Sequence, residues 1–180
     1  MQQIELDTLR FPIGKFVKPE TVSPAEIDDC VSRIELFPAR LKKEVFKLDD
    51  EQLDTPYRPE GWTVRQVVHH CADSHMNAII RFKLTLTEDN AVIRPYKENL
   101  FAELADSKNF EIDSSLKIID GVHYRLGALI RSLTPEQFAR HYVHPEYGTT
   151  YRLDQATKLY AWHCDHHLAH ITSLKKSRGW

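Results

Sequence analysis

A chain of 180 residues with 42% apolar and 28% charged residues can bury one full hydrophobic core and has the composition of an ordinary globular domain. Its formal net charge of −2 offers no basic field for nucleic acid or an anionic membrane surface, and no apolar run approaches a membrane span. Cys30, Cys71 and Cys164 are odd in number, far apart and without a C-x-x-C spacing, which reads as reduced thiols in a cytosolic protein.

The N-terminal residues Met1-Gln-Gln-Ile-Glu-Leu-Asp7 lack the basic start and apolar run of a signal peptide, so a cytoplasmic location is expected. Residues 1–22 carry Pro12, Gly14 and Pro19 without a sustained period, and are expected to form an extended arm lying on a single domain. Ser23-Pro-Ala-Glu26 combines an N-cap, a proline at the first helical position and a capping-box glutamate. The helix it opens should run to about Leu48, kinked just before Pro38. Residues 49–62 hold Pro56, Pro59 and Gly61 and read as a loop. Thr63-Val-Arg-Gln66 is a second capping box and opens a helix to about Leu86, with an apolar stripe including Val64, Val67, Cys71, Ile79 and Phe82. Beside that stripe runs a polar one, His70, Ser74, Asn77 and Arg81, which suits water or a cleft between helices.

Residues 88–113 read as loop with one short helix near Glu98–Ala105. Asp113 or Ser114 is expected to cap a third long helix to about Leu133, in which Asp120 and His123 share a face with Leu116, Ile119, Leu126 and Ile130. Thr134-Pro-Glu-Gln137 starts a short turn, and residues 141–152, around Tyr147-Gly148, are compatible with a small hairpin or a loop. Asp154 is expected to cap the last helix, whose end is marked by Lys175, Lys176, Arg178 and Gly179. Four long helices joined by long crossings make an all-α four-helix bundle.

The last helix carries the chemistry. Four of the ten histidines, His163, His166, His167 and His170, lie within eight residues. At about 100° per residue, His163, His167 and His170 fall within the apolar stripe formed by Ala156, Leu159, Tyr160, Ile171 and Leu174, and His166 falls on its flank. Imidazoles turned into a core need partners, because an unpaired buried polar group costs roughly 1–3 kcal/mol. Core histidines bonded to carbonyls would satisfy this. So would a metal ion shared by His163 and His167, one helical turn apart. Periodicity does not choose between the two, and a metal would need a third ligand.

Two stretches, Leu53 to Asn77 with Arg81–Glu88, and Tyr160-Ala-Trp-His-Cys-Asp-His-His-Leu-Ala-His-Ile-Thr172, resemble the YfiT branch of the DinB/YfiT-like superfamily. That family comprises metal-dependent hydrolases related to bacillithiol S-transferases. The resemblance spans nearly the whole chain. It implies a four-helix bundle, a homodimer, and one divalent metal on three histidines: His70, followed by Cys71 where the family usually has Leu, with His163 and His167. Periodicity alone favours His75 over His70, so His75 is the alternative third ligand. Ser74, Asn77 and Arg81 would then line the cleft leading to the metal and bind substrate.

Three neutral imidazoles leave a divalent cation an open position. Zn²⁺ is the default and Ni²⁺ also suits imidazole. Tyr160, His166, His123 and Asp73 are candidates for acid–base or orienting roles, with Asp120 and His123 expected to face the same cavity. Cys164 lies off the stripe and reads as a packing residue. The readings that follow are hydrolysis by a metal-activated water, transfer of a metal-bound low-molecular-weight thiol to a small-molecule electrophile, or a helical bundle with a structural metal.

Overall fold

The computed structural model describes residues 3–146 and 148–180. Met1 and Gln2 of the expected arm, and Tyr147 of the expected hairpin, lie outside the described residues. In chain order the elements are α1 (Gln3–Arg10), α2 (Pro24–Val45), α3 (Asp50–Leu53), α4 (Val64–Thr87), β1 (Ala91–Val92), α5 (Glu98–Phe101), α6 (Ala105–Asn109), α7 (Asp113–Arg131), α8 (Pro135–Ala139), β2 (His141–His144), β3 (Thr149–Arg152) and α9 (Leu153–Arg178).

The four long helices form a four-helix bundle. Their N-termini follow local chemistry where the capping boxes stand. Before α2, the Ser23 hydroxyl accepts from the Glu26 N–H, and the Glu26 carboxylate accepts from the Ser23 N–H. Thr63 and Gln66 do the same before α4, and Thr134 and Gln137 before α8. Together these satisfy donors that a helix start leaves free.

Two expected caps are corrected. Ile112 precedes α7 without a side-chain cap, and Asp113 is already helical, where its carboxylate pairs with Lys117 at 2.6 Å and complements the dipole. Likewise Asp154 lies inside the first turn of α9. Its carboxylate accepts from the Gln155 N–H at 2.6 Å and pairs with Arg152, while Gln155 Oε1 accepts from the Arg152 N–H. The last strand runs directly into α9, so no free capping position remains between them. At the other end, Gly179 adopts φ 73°, the left-handed stop that a residue without Cβ takes readily.

α2 and α4 each pack against both α7 and α9. α2 and α4, consecutive among the long four, therefore sit across the bundle rather than side by side, as the 18-residue crossing from 46 to 63 permits. One contiguous apolar cluster joins all four, from Val31, Ile34 and Leu41 on α2 to Ile171 and Leu174 on α9.

The region expected as loop is more ordered than its sequence suggests. Residues 49–62 include the single turn α3, and 88–113 hold two short helices rather than one. Residues 141–152 form a hairpin, and β1 adds to it in parallel to give the order β1-β2-β3. This sheet adds the buried Tyr142 to the apolar core.

The arm also departs from expectation, since α1 is helical and only residues 11–23 run without regular structure. Its carbonyls are taken by side chains of α9 and of Arg152: Arg10 by His170, Gly14 by Trp162, Pro19 by Gln155 and Glu20 by Arg152. No helix among the described residues is long and apolar enough to cross a membrane.

Candidate metal centre

His70 on α4 faces His163 and His167 on α9. The three rings each offer a nitrogen within 4.8 Å of the others, with ring centroids 4.4–5.3 Å apart. His163 and His167 meet because residues four apart stack on one helical face. His70 joins them because α4 and α9 are neighbours and His70, Ser74 and Arg81 of the polar stripe of α4 are turned into the cavities beside α9.

Nε2 of His70 stands 3.3 Å from Nε2 of His163. Two nitrogens bound to one Zn²⁺ at about 2.0–2.1 Å with tetrahedral angles would lie about 3.3–3.4 Å apart. Burial pushes the His70 imidazolium pKa down to about 3 and those of His163 and His167 well below the ordinary value, so these rings are neutral donors at pH 7. The donor set and the spacing both fit a divalent cation. Trp62 covers the trio from outside, 4.6 Å from the His70 ring and stacked on His167 at 6.4 Å.

Two cavities meet at His163. The larger, about 690 Å³, is walled by Ser74, Arg81, Tyr96, Tyr142, His144, Tyr151 and Tyr160. The smaller, about 420 Å³, is walled by Arg10, Phe11, Tyr57, Arg58, Trp62 and the α9 histidines. Glu98, Asn99 and Leu159 border both. In the larger cavity Arg81 donates to the Tyr160 hydroxyl at 3.1 Å, and Ser74 Oγ lies 3.5 Å from His163 Nε2. Burial raises the Tyr160 phenol pKa, against a lowering by the Arg81 charge.

The other expected residues separate into those near the cavities and those that are not. Asn77 borders neither cavity, because its amide folds back to donate to the Asp73 carbonyl one turn earlier, at 2.9 Å. Asp73 also borders neither. It is half-buried, its carboxyl raised by desolvation and by Asp106. His166 borders the smaller cavity, its ring stacked on Trp162 at 4.4 Å with Phe11 beyond it.

Asp120 is exposed beside a separate groove between α2 and α7, and His123 is buried behind the trio, bonded to His75, and lines neither cavity at the trio. One step along α7 separates Ile119, which points inward, from Asp120, which does not. His75, the alternative third ligand, also stands behind the trio. Its Nε2 is 3.0 Å from His163 Nδ1 and its Nδ1 is 2.6 Å from His123 Nε2. Cys164 is buried and its thiol pKa is pushed up, as a packing residue requires.

Several cavity residues carried no signal in the sequence. Tyr96 and Glu98 come from an aperiodic stretch, and partial desolvation with the Glu146 charge raises the Glu98 carboxyl. Tyr142 and His144 face inward together on β2, an alternation of period two that four residues are too few to announce. His69 is buried without joining the site, held by Ser115 at 2.7 Å and the Phe110 carbonyl at 3.1 Å.

Comparison with known proteins identifies the family. The YfiT protein of Bacillus subtilis (strain 168), provisionally named a metal-dependent hydrolase, is 49% identical over 172 residues, covering 96% of this chain and 97% of that protein. A protein of Bacillus cereus (strain B4264) with the same provisional name is 51% identical over 175 residues, covering 97% and 100%. The solved structure of YfiT from Bacillus subtilis, described as "a probable metal-dependent hydrolase with an unusual four-helix bundle topology", superposes with a TM-score of 0.94 at 48% identity, over 96% of this chain and 99% of that one. The DinB superfamily profile matches residues 33–171. The chain belongs to the DinB superfamily.

Proposed function

We propose that this protein is a metal-dependent hydrolase whose single divalent ion, Zn²⁺ or Ni²⁺, is held by His70, His163 and His167. The observation that carries the reading is the convergence of three neutral imidazoles, two of them with Nε2 atoms 3.3 Å apart, where two cavities meet. A divalent cation there would supply a Lewis acid and lower the pKa of a coordinated water towards 7. Three protein ligands beside open cavities favour a catalytic site over a structural one, which four protein ligands would normally close.

The chain's own residues divide the remaining work. Arg81 presents a planar fork into the larger cavity and would pair both oxygens of a substrate carboxylate. Tyr160, held by Arg81, keeps its proton at neutral pH and can donate a hydrogen bond to a substrate oxygen. Glu98, with its raised carboxyl, is placed at the border of both cavities to accept a proton. Trp62 and Phe11 exclude water from the smaller side.

A second reading is favoured by the pair of cavities. Two chambers meeting at one metal-ligand candidate suit a two-substrate reaction, in which a small thiol enters on one side and an electrophile on the other. The experiment that decides compares metal-loaded and metal-stripped protein on esters and amides, and on a thiol with an electrophile. Hydrolysis requires activity without thiol that rises through one ionisation near pH 7 and disappears with a chelator. Turnover only with added thiol would favour transfer. Equal rates in loaded and stripped protein would remove the metal from the chemistry. Arg81→Lys should weaken binding of a carboxylate substrate and leave metal content unchanged.

A further inference from the structure

Behind the candidate ligands runs a relay of hydrogen bonds. It begins on α2, where Pro38 lies inside the helix. Proline has no N–H, so the carbonyl four residues earlier, that of Ile34, loses its helical donor. His123 of α7 takes that place, with Nδ1 2.6 Å from the Ile34 oxygen. His123 Nε2 is 2.6 Å from His75 Nδ1, and His75 Nε2 is 3.0 Å from His163 Nδ1. Phe37 stacks on His123 at 5.2 Å and meets His75 edge-on at 5.6 Å, fixing both ring planes.

We infer that His75 and His123 are positioning residues which, anchored on the Ile34 carbonyl freed by Pro38, hold His163 in its Nδ1–H tautomer and present its bare Nε2 lone pair to the site. The inference rests on the metal-centre reading only for its use, not for its geometry.

The logic is one of donors and acceptors. A carbonyl oxygen only accepts, so His123 must carry its proton on Nδ1. A neutral imidazole has one N–H, so His123 Nε2 is an acceptor and His75 must donate through Nδ1. His75 Nε2 is then an acceptor, and His163 must donate through Nδ1. That leaves His163 Nε2 without a proton, facing His70 Nε2 at 3.3 Å. Each ring in the relay bonds another ring or the carbonyl, and none bonds a carboxylate. His75 and His123 are each 1% exposed, and rings so buried with no carboxylate bonded to them are neutral. Reversing any one tautomer would set two N–H groups, or two lone pairs, against each other at 2.6–3.0 Å. The relay therefore selects, in the protein without metal, the form of His163 that a cation needs, as partners of ligating histidines do in metal sites generally.

The test has two parts. Long-range proton–nitrogen NMR of the metal-free wild-type protein should find the His163 proton on Nδ1, and His123→Leu should abolish that preference. A proton on Nε2 in the wild type overturns the inference without any variant. In competition with a chromophoric chelator, His123→Leu should weaken Zn²⁺ binding by roughly 10–100-fold. His123→Gln, whose amide can donate to Ile34 and accept from His75, should recover most of the loss. A folded His123→Leu protein with wild-type affinity and tautomer also overturns it. A wild-type protein that shows the Nδ1–H tautomer but binds no divalent ion would sink the metal-centre reading and leave the relay supported.

Discussion

α2 and α9 are both long, buried on one face and packed against each other, yet they bury opposite kinds of surface. The inner face of α2 is Cys30, Val31, Ile34, Phe37, Leu41 and Val45. The inner face of α9 adds Asp154, Gln155, Thr157, His166, His167 and His170 to its apolar residues. On α2, each buried side chain stabilises the fold by about 1.5–3 kcal/mol through removal of apolar surface from water. On α9 the imidazoles contribute less and hold a desolvation cost that each must offset with a partner. The contrast separates scaffold from site: α2 supplies cohesion, and α9 spends part of that cohesion on holding two of the three candidate ligands, His163 and His167, neutral and close to His70 of α4.

The largest effect should come from cutting α9 at its histidines. Metal content of His163→Ala and His167→Ala, measured by elemental analysis after dialysis, should fall to background, while the metal-free variants remain helical by circular dichroism. Retention of full metal in both would assign the ion elsewhere. The matching cut in α2 is Leu41→Ala. Leu41 is fully buried and borders neither cavity at the trio, so the variant should lose about 2–5 kcal/mol of unfolding free energy with unchanged metal content. A Leu41→Ala protein that folds normally but cannot bind metal would break the division between the two helices.

The same contrast governs what could be read from the sequence. Where burial is apolar and caps are local, as at Ser23, Thr63 and Thr134, helix starts follow from three or four adjacent residues. His163 and His167 were legible as a pair because helical spacing alone stacks them. His70 was not, since its phase on α4 places it off the apolar stripe. It faces the trio only because α9, nearly a hundred residues later, lies against α4, and only the family resemblance pointed to it. The relay was beyond reach for the same reason. Pro38 signals a lost hydrogen bond on α2, but nothing near it in sequence says that His123 takes up the carbonyl. Asn77 shows the converse: its helical phase follows the polar stripe, but its amide is bonded within its own helix.

Acid should act on the metal-free protein through the site half of the molecule. Burial holds His70 at about 3 and His123 at about 4, far below the ordinary 6.5. The unfolded chain takes up those protons below pH 6.5 and the folded chain does not, so stability is fully present above that pH. It falls as pH drops from 6.5 until the folded-state values are reached. At pH 5 a fully buried ring such as His70 would cost about 2 kcal/mol. Urea midpoints of the stripped protein should therefore decline between pH 7 and 5, and His70→Ala should flatten that decline. A midpoint independent of pH over this range would mean that the histidines are not held neutral.

The smallest effect sharpens the scaffold side. Ser23 caps α2 through its hydroxyl, which accepts from the Glu26 N–H at 3.3 Å and donates to the Glu26 carboxylate at 2.8 Å. Glu26 in turn reaches Lys158 on α9 at 2.6 Å, so the cap also touches the first turns of the site helix. Ser23→Ala removes one acceptor for a free helix-start N–H and should cost about 1 kcal/mol. Lys158 lies nearly one and a half helical turns before His163, and α9 is held there independently by Gln155 and Arg152 bonded to the arm. The lost cap should therefore lower the urea midpoint slightly and leave Zn²⁺ affinity unchanged. A Ser23→Ala protein whose Zn²⁺ affinity drops along with its stability would show that the end of α2 sets the register of α9, and that scaffold and site are coupled through the Glu26–Lys158 pair.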